Sequence, residues 1–131
     1  MASPKAVIVV DDDADIVFIF KKSLERAGYL ALGFTDPAQA LQHIESNIEQ
    51  CGLIISDVRM PKINGLEFAA RVRQSSPSIN VILMSAYSMR DVEVPPELKV
   101  VSLLQKPVTP SQIKQVASKY FPLIPQAGDL R

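Results

Sequence analysis

The sequence predicts an α/β fold, a parallel sheet of five strands with helices on both faces. Short apolar runs rich in Val and Ile recur without polar alternation, the pattern of strands buried on both sides. Segments with apolar residues at three- and four-residue steps lie between them, so strand and helix alternate five times along the chain. That alternation implies parallel strands joined by right-handed crossovers. The chain has 131 residues, enough for one domain that buries roughly two-thirds of its unfolded surface.

The first strand is read from Ala6 to Val10, and Ile16, Ile19, Phe20, Leu24 and Ala27 mark the first helix, stopped by Gly28. Tyr29 to Phe34 is a weaker strand. Asp36-Pro37 reads as an N-cap followed by proline at the first helical position, and Leu41, Ile44 and Ile48 share a face of that second helix. His43 falls off this face and is expected to be solvated. Leu53 to Ile55 is the third strand, with Cys51 an inert thiol near its start. Asn64-Gly65 reads as a turn of positive φ. Leu66, Phe68, Ala69 and Val72 form a third helix ending near Ser75-Ser76-Pro77, with Met60 packing in the loop before it. Val81 to Met84, with Met84 in the core, is the fourth strand, and Val100 to Leu104 is the fifth. Between these two, Pro95-Pro96 breaks any helix near Val94, so the fourth helix is expected to be short or irregular. Thr109-Pro110-Ser111-Gln112 resembles a capping box and opens a last helix carrying Ile113, Val116, Ala117 and Tyr120.

Composition excludes several classes. Apolar residues make up 47% and charged residues 21%, which disfavours disorder and fibrous structure. Fourteen basic and 14 acidic residues cancel, so no bulk basic footprint for nucleic acid exists. One cysteine cannot form an internal disulfide and fits a reducing compartment. The apolar run at Ala6 to Val10 is too short for a signal peptide or a membrane span, and a cytoplasmic setting without membrane contact is expected.

In an open parallel α/β sheet, ligands bind beyond the carboxyl ends of the strands. There the first strand delivers Asp11, Asp12 and Asp13, and the third delivers Asp57. The fourth delivers Ser85, and the fifth delivers Lys106 and Pro107. Two carboxylates ~4 Å apart repel by ~4 kcal/mol at a near-surface dielectric, a cost that a hard divalent cation removes. Mg2+ suits one or two carboxylates, waters and a phosphoryl oxygen. A lysine and a hydroxyl donor complete what phosphoryl transfer needs, and a carboxylate can itself be the nucleophile. Asp13 and Asp15 fit capping or dipole roles better than ligation. Counted as a calcium loop from Asp11, the sixth residue is Ile16 rather than glycine and the twelfth is Lys22 rather than glutamate, which argues against an EF-hand.

The motifs resemble those of receiver domains of two-component response regulators. Val7-Ile8-Val9-Val10-Asp11-Asp12-Asp13 is similar to the family's first strand and acidic pair. The stretch from Ile54 through Asp57 to Met60-Pro61 and Asn64-Gly65-Leu66-Glu67 is similar to its phosphoacceptor strand and following loop. Val81-Ile82-Leu83-Met84-Ser85-Ala86 resembles the hydroxyl-bearing strand, and Leu104-Gln105-Lys106-Pro107 the lysine–proline element. The resemblance implies a flavodoxin-like doubly wound sheet in the order 2-1-3-4-5, a receiver domain over residues 5–121, and a tail or linker start at 122–131. It further implies that Asp57 accepts a phosphoryl group from a phosphohistidine on a histidine kinase or phosphotransfer protein. Asp11, Asp12, Asp57 and the Arg59 backbone carbonyl would hold Mg2+. Lys106 and Ser85 would bind the phosphoryl oxygens, and Ser85 would shift toward them to switch a surface for a downstream partner or fused output domain. Such a chain is not a conventional enzyme; it catalyses its own phosphorylation and slow dephosphorylation.

Three departures accompany the resemblance. Ser85 stands where threonine is commoner. Leu103 stands where the family usually has a tyrosine or phenylalanine behind the moving hydroxyl, so the usual readout lacks its ring. The Pro95-Pro96 break falls in a surface that many receivers use for output. Arg59 and Tyr87, each two residues past a site residue, are expected to rim the pocket and tune phosphoryl lifetime. Two alternatives stand beside this reading. One is a receiver fold that signals by interaction without phosphorylation. The other is a haloacid-dehalogenase-like phosphatase, which needs a further acidic pair after the lysine where only Asp129 follows.

Overall fold

The computed structural model describes residues 5–86 and 93–123. Five parallel strands run β1 (Ala6–Val10), β2 (Leu30–Phe34), β3 (Cys51–Asp57), β4 (Asn80–Ser85) and β5 (Val100–Gln105), in the spatial order β2-β1-β3-β4-β5. Among the described residues, α1 (Ala14–Arg26), α2 (Pro37–Ser46) and α3 (Gly65–Ser75) connect the first four strands in turn, and α4 (Pro110–Tyr120) follows β5. The fold class is the one the sequence pattern predicts, and the strand order is the one the resemblance implies.

Strand position explains the strong signals of β1, β3 and β4 and the weak one of β2. β1, β3 and β4 lie inside the sheet, and Val7, Ile8, Val9, Val10, Ile54, Ile55, Ile82 and Leu83 have no exposed surface. A residue covered from both sides has no reason to alternate with polar neighbours. β2 lies at an edge and is only half-buried, which is why its run is weak.

The two faces are covered by different helices. α2 and α3 bring Ala40, Leu41, Ile44, Phe68, Ala69 and Val72 onto Ile8, Val10, Ile54 and Leu83. α1 and α4 bring Phe20, Leu24, Ile113 and Ala117 onto Val7, Val9, Leu53, Ile55, Ile82 and Met84. Each large side chain so buried contributes about 1.5–3 kcal/mol of transfer free energy.

The capping expectations are met at both proline-led helices. The Asp36 carboxylate accepts from the Ala38 amide at 2.9 Å. Thr109 and Gln112 form a reciprocal box, the Gln112 amide donating to Thr109 at 3.1 Å and the Thr109 amide to Gln112 at 2.8 Å. Asp13 caps α1 by accepting from the Asp15 amide at 2.9 Å.

Four local expectations are corrected, the first being that Ile48 lies on α2: the helix ends at Ser46, and Ile48 opens a separate 3-10 turn. Ile19 is 44% exposed, and Val17 with Phe20 and Leu24 makes the buried stripe of α1. Asn64-Gly65 is no positive-φ turn: Asn64 has φ −78° and caps α3, and the left-handed residue of this loop is Lys62 at φ 71°. His43 is half-buried, its ring 5.4 Å from that of Phe34.

Between β4 and β5, the described part of the crossover holds a single 3-10 turn, Pro96–Leu98, consistent with the proline break. Arg73 of α3 fastens this turn by donating to the Leu98 carbonyl at 2.9 and 3.1 Å and to the Ser76 carbonyl at 3.1 Å. Tyr87 and the residues up to 92, and the tail from 124 to 131, lie outside the described residues. Among the described residues no helix is long and apolar enough to cross a membrane.

Cys51 is a free, buried thiol at the start of β3, and burial pushes its pKa up. The thiolate is the reactive form, so alkylation of the native protein by iodoacetamide near pH ~8 is expected to be slow. It should become rapid in urea, as read by intact mass. Fast labelling of the folded chain would contradict the buried placement.

Candidate metal and phosphoryl site

Sheet register gathers the strand ends. Val10 pairs with Ser56, so Asp11 and Asp57, the next residues, come level. Asp57 pairs with Met84 and Ser85 with Gln105, which brings Ser85 and then Lys106 to the same edge. Period-two alternation sets the faces. Asp11 continues the series of Val7 and Val9, Asp57 that of Leu53 and Ile55, and Lys106 that of Leu104, all on the α1/α4 side. Ser85 continues the series of Val81 and Leu83 on the opposite side.

The charges meet as that placement requires. Lys106 Nζ lies 3.1 Å from Asp57 Oδ2 and 3.2 Å from Asp11 Oδ2. Asp11 is fully buried, and its other oxygen accepts from the Asp13 amide at 2.9 Å. Asp57 is buried, and its Oδ1 accepts from the Arg59 amide at 3.4 Å. Burial raises the Asp11 pKa against the pull of the Asp13 amide; the neighbouring Asp57 pushes it further up, and Lys106 only partly opposes this. Burial alone would lower Lys106. Its hydrogen bond to Asp57 and the charge of Asp11 outweigh that and hold the ammonium above the ordinary lysine range.

Asp12 is exposed on the loop after β1, and one oxygen from each of Asp11, Asp12 and Asp57 lies within 4.8 Å of the others. Three ionised carboxylates and one ammonium leave a negative excess that a divalent cation would balance. The donors are hard oxygens, which suits Mg2+ or Ca2+ over softer metals. A groove of about 530 Å3 lined by Asp12, Arg59, Met60 and Pro61 opens beside the cluster.

The remaining candidates are placed as follows. Ser85 is buried, and its carbonyl accepts from the Lys106 amide at 2.7 Å, which ties the ends of β4 and β5 together. The Lys106–Pro107 peptide is cis. Arg59 is exposed on the loop after Asp57. Leu103 is half-buried and packs against the α2/α3-side core. Tyr87 lies outside the described residues.

Sequence reasoning missed what Gly65 does. A Cβ there would sit 2.5 Å from the Asp57 carbonyl oxygen and 2.8 Å from Val58 Cα, while the Gly65 amide donates to the Val58 carbonyl at 2.7 Å. The start of α3 therefore rests directly on the backbone of the acidic strand end. The usable signal was Asn64 three residues before Glu67, an N-cap spacing ahead of an apolar run. Asn64 indeed accepts from the Glu67 amide at 2.8 Å.

Comparison with known proteins gives one consistent answer. The family model of the response regulator receiver domain matches residues 7–118. The alkaline phosphatase synthesis transcriptional regulatory protein PhoP of Bacillus subtilis is 31% identical over 110 residues, covering 83% of this chain and 45% of PhoP. Sporulation initiation phosphotransferase F of the same organism is 27% identical over 118 residues, covering 89% of this chain and 94% of that protein. The solved structure of response regulator TrrA from Thermotoga maritima, in complex with Mg(2+)-BeF, superposes with a TM-score of 0.76 at 28% identity, covering 89% and 99% of the two chains. The chain spans only 18–45% of the transcriptional regulators it matches first.

Proposed function

The chain belongs to the response regulator receiver domain family, and on that premise we propose that it is a phosphoacceptor switch in a two-component system. The observation that carries this reading is the Lys106 ammonium held between Asp57 and Asp11, with Asp12 within reach of both carboxylates. A carboxylate oxygen of Asp57 attacks the phosphorus of a phosphohistidine on a histidine kinase or phosphotransfer protein. The new O–P bond forms as the P–N bond breaks, and the imidazole keeps the electron pair and takes a proton from solvent. Lys106 then pairs with a phosphoryl oxygen, and the Ser85 hydroxyl turns to another. Asp11, Asp12, Asp57 and the Arg59 carbonyl would hold Mg2+, which supplies positive charge to the crowded oxygens. The Mg2+ named for TrrA supports that choice of ion.

In this reading residues 5–121 are the receiver domain, 122–131 are a tail or linker start, and the setting is cytoplasmic. Arg59 and Tyr87, each two residues past a site residue in the sequence, set the phosphoryl lifetime. Leu103 offers no ring to a partner, so the signal leaves by packing changes rather than by an exposed aromatic. The family assignment lends the haloacid-dehalogenase-like alternative no support.

The test is incubation with acetyl phosphate and Mg2+, followed by intact mass. One added phosphoryl group is expected in the wild type and none in Asp57→Asn. An unmodified wild type, or a phosphorylated Asp57→Asn, would overturn the reading and favour signalling by interaction alone.

A further inference from the structure

The residue before the acceptor has a hydroxyl where the three before it, Leu53, Ile54 and Ile55, are apolar. Ser56 has no exposed surface and continues the series of Ile54 into the α2/α3-side core. Its Oγ donates to the Asp57 carbonyl oxygen at 3.0 Å and lies 3.9 Å from Met60 Sδ. That same carbonyl oxygen is the atom a Cβ at Gly65 would strike. The peptide plane after Asp57 is thus gripped from two sides, by a hydroxyl from its own strand and by the first residue of α3. This plane decides where Val58 and Arg59 go, and the Arg59 amide is the donor that meets Asp57 Oδ1 at 3.4 Å. A buried hydroxyl with no donor role would be a costly choice here, since an apolar side chain would pack as well.

We propose that Ser56 is a positioning residue, whose hydroxyl locks the Asp57–Val58 peptide and so aims the Asp57 carboxylate and the Arg59 backbone into the site. The inference deepens the phosphoacceptor reading and rests on it for its catalytic consequence. The single hydroxyl proton goes to the shorter contact, the Asp57 carbonyl, with Met60 Sδ only at the edge of its reach. The consequence is kinetic, because an acceptor held in line with the incoming phosphorus reacts without first being ordered.

The test compares wild type, Ser56→Ala, Ser56→Val and Ser56→Thr. Thr and Val share a shape and differ in the hydroxyl, so their difference isolates the donor from the added methyl. Phosphorylation by acetyl phosphate with Mg2+ is expected to slow by about five- to tenfold in Ser56→Ala and Ser56→Val, the factor for one lost hydrogen bond. Ser56→Thr should stay within about twofold of wild type on the same scale. Native-state hydrogen exchange at the Val58 and Arg59 amides should quicken in the Ala and Val forms and not in Thr. Equal rates in all four proteins, or Thr falling with Val in both measurements, would overturn the proposal. If the wild type takes no phosphoryl group, the function reading fails, while the exchange pattern still decides the role of Ser56.

Discussion

Replacing Lys106 with methionine is expected to lower stability by about 1–3 kcal/mol at neutral pH, read from urea unfolding. Removing one partner of a buried ion pair costs about 3–5 kcal/mol. The Lys106 side chain is 29% exposed, so solvent screens part of that loss and the lower range applies. Methionine keeps the length of the apolar stem and deletes the charge alone. Asp11 and Asp57 then face each other with no ammonium between them.

The pH dependence of that variant has a definite sign. Burial already raises the Asp11 pKa, and loss of the ammonium removes a lowering influence. The folded chain then binds a proton more readily than the unfolded chain. Stability therefore rises as pH falls through the interval from the raised Asp11 value down to the ordinary aspartate value. The penalty of Lys106→Met should shrink on mild acidification, and it should also shrink on adding Mg2+, which neutralises the same oxygens. In the wild type Lys106 is raised, so its contribution is complete below the ordinary lysine pKa and lost as pH climbs through the higher folded value. Phosphorylation of Lys106→Met should slow about tenfold or more, since a contact to a charged group is lost. A variant as stable as wild type at neutral pH, and as quick to take phosphoryl groups, would remove the ion pair from the mechanism.

Gly65→Ala is expected to destabilise the chain by about 3 kcal/mol and to weaken Mg2+ binding at the same time. The added methyl meets the Asp57 carbonyl oxygen and Val58 Cα, both backbone atoms, at 2.5 and 2.8 Å. No rotamer change relieves such a contact, so α3 must lift or the Asp57 peptide must turn. The gain from stiffening the unfolded chain, about 0.4–1 kcal/mol, is too small to offset it. Urea midpoints and calorimetric Mg2+ titration check both effects. An unchanged midpoint would mean that α3 does not rest on the acceptor strand as described.

Much of this molecule is local in origin. The apolar runs of β1, β3 and β4 report burial on both faces, and the Asp36-Pro37 and Thr109-Pro110-Ser111-Gln112 starts report helix caps. Asp11, Asp57 and Lys106 are legible because chemistry at a parallel sheet collects at strand ends, and the order of the motifs names the ends. Each of these signals lies within a few consecutive residues and depends on no distant partner.

Other features were set by contacts that no local window contains. Whether Ile19 or Val17 enters the core depends on how α1 is rotated on the sheet, and the helical spacing admits either. The Asn64-Gly65 pair suits a turn by propensity, yet the approach of α3 to the Asp57 backbone makes it a cap followed by an obligatory small residue. Ser56 looks like an ordinary strand residue until its hydroxyl is seen on the Asp57 carbonyl. His43 belongs to a polar helix position until β2 places Phe34 beside it. Local residue order settles which side chains stand at the strand ends and how the elements alternate. Only the packing of α3 and the register of β1, β3 and β5 decided how closely three carboxylates and one ammonium are pressed together, because those separations arise from contacts between residues far apart in the chain.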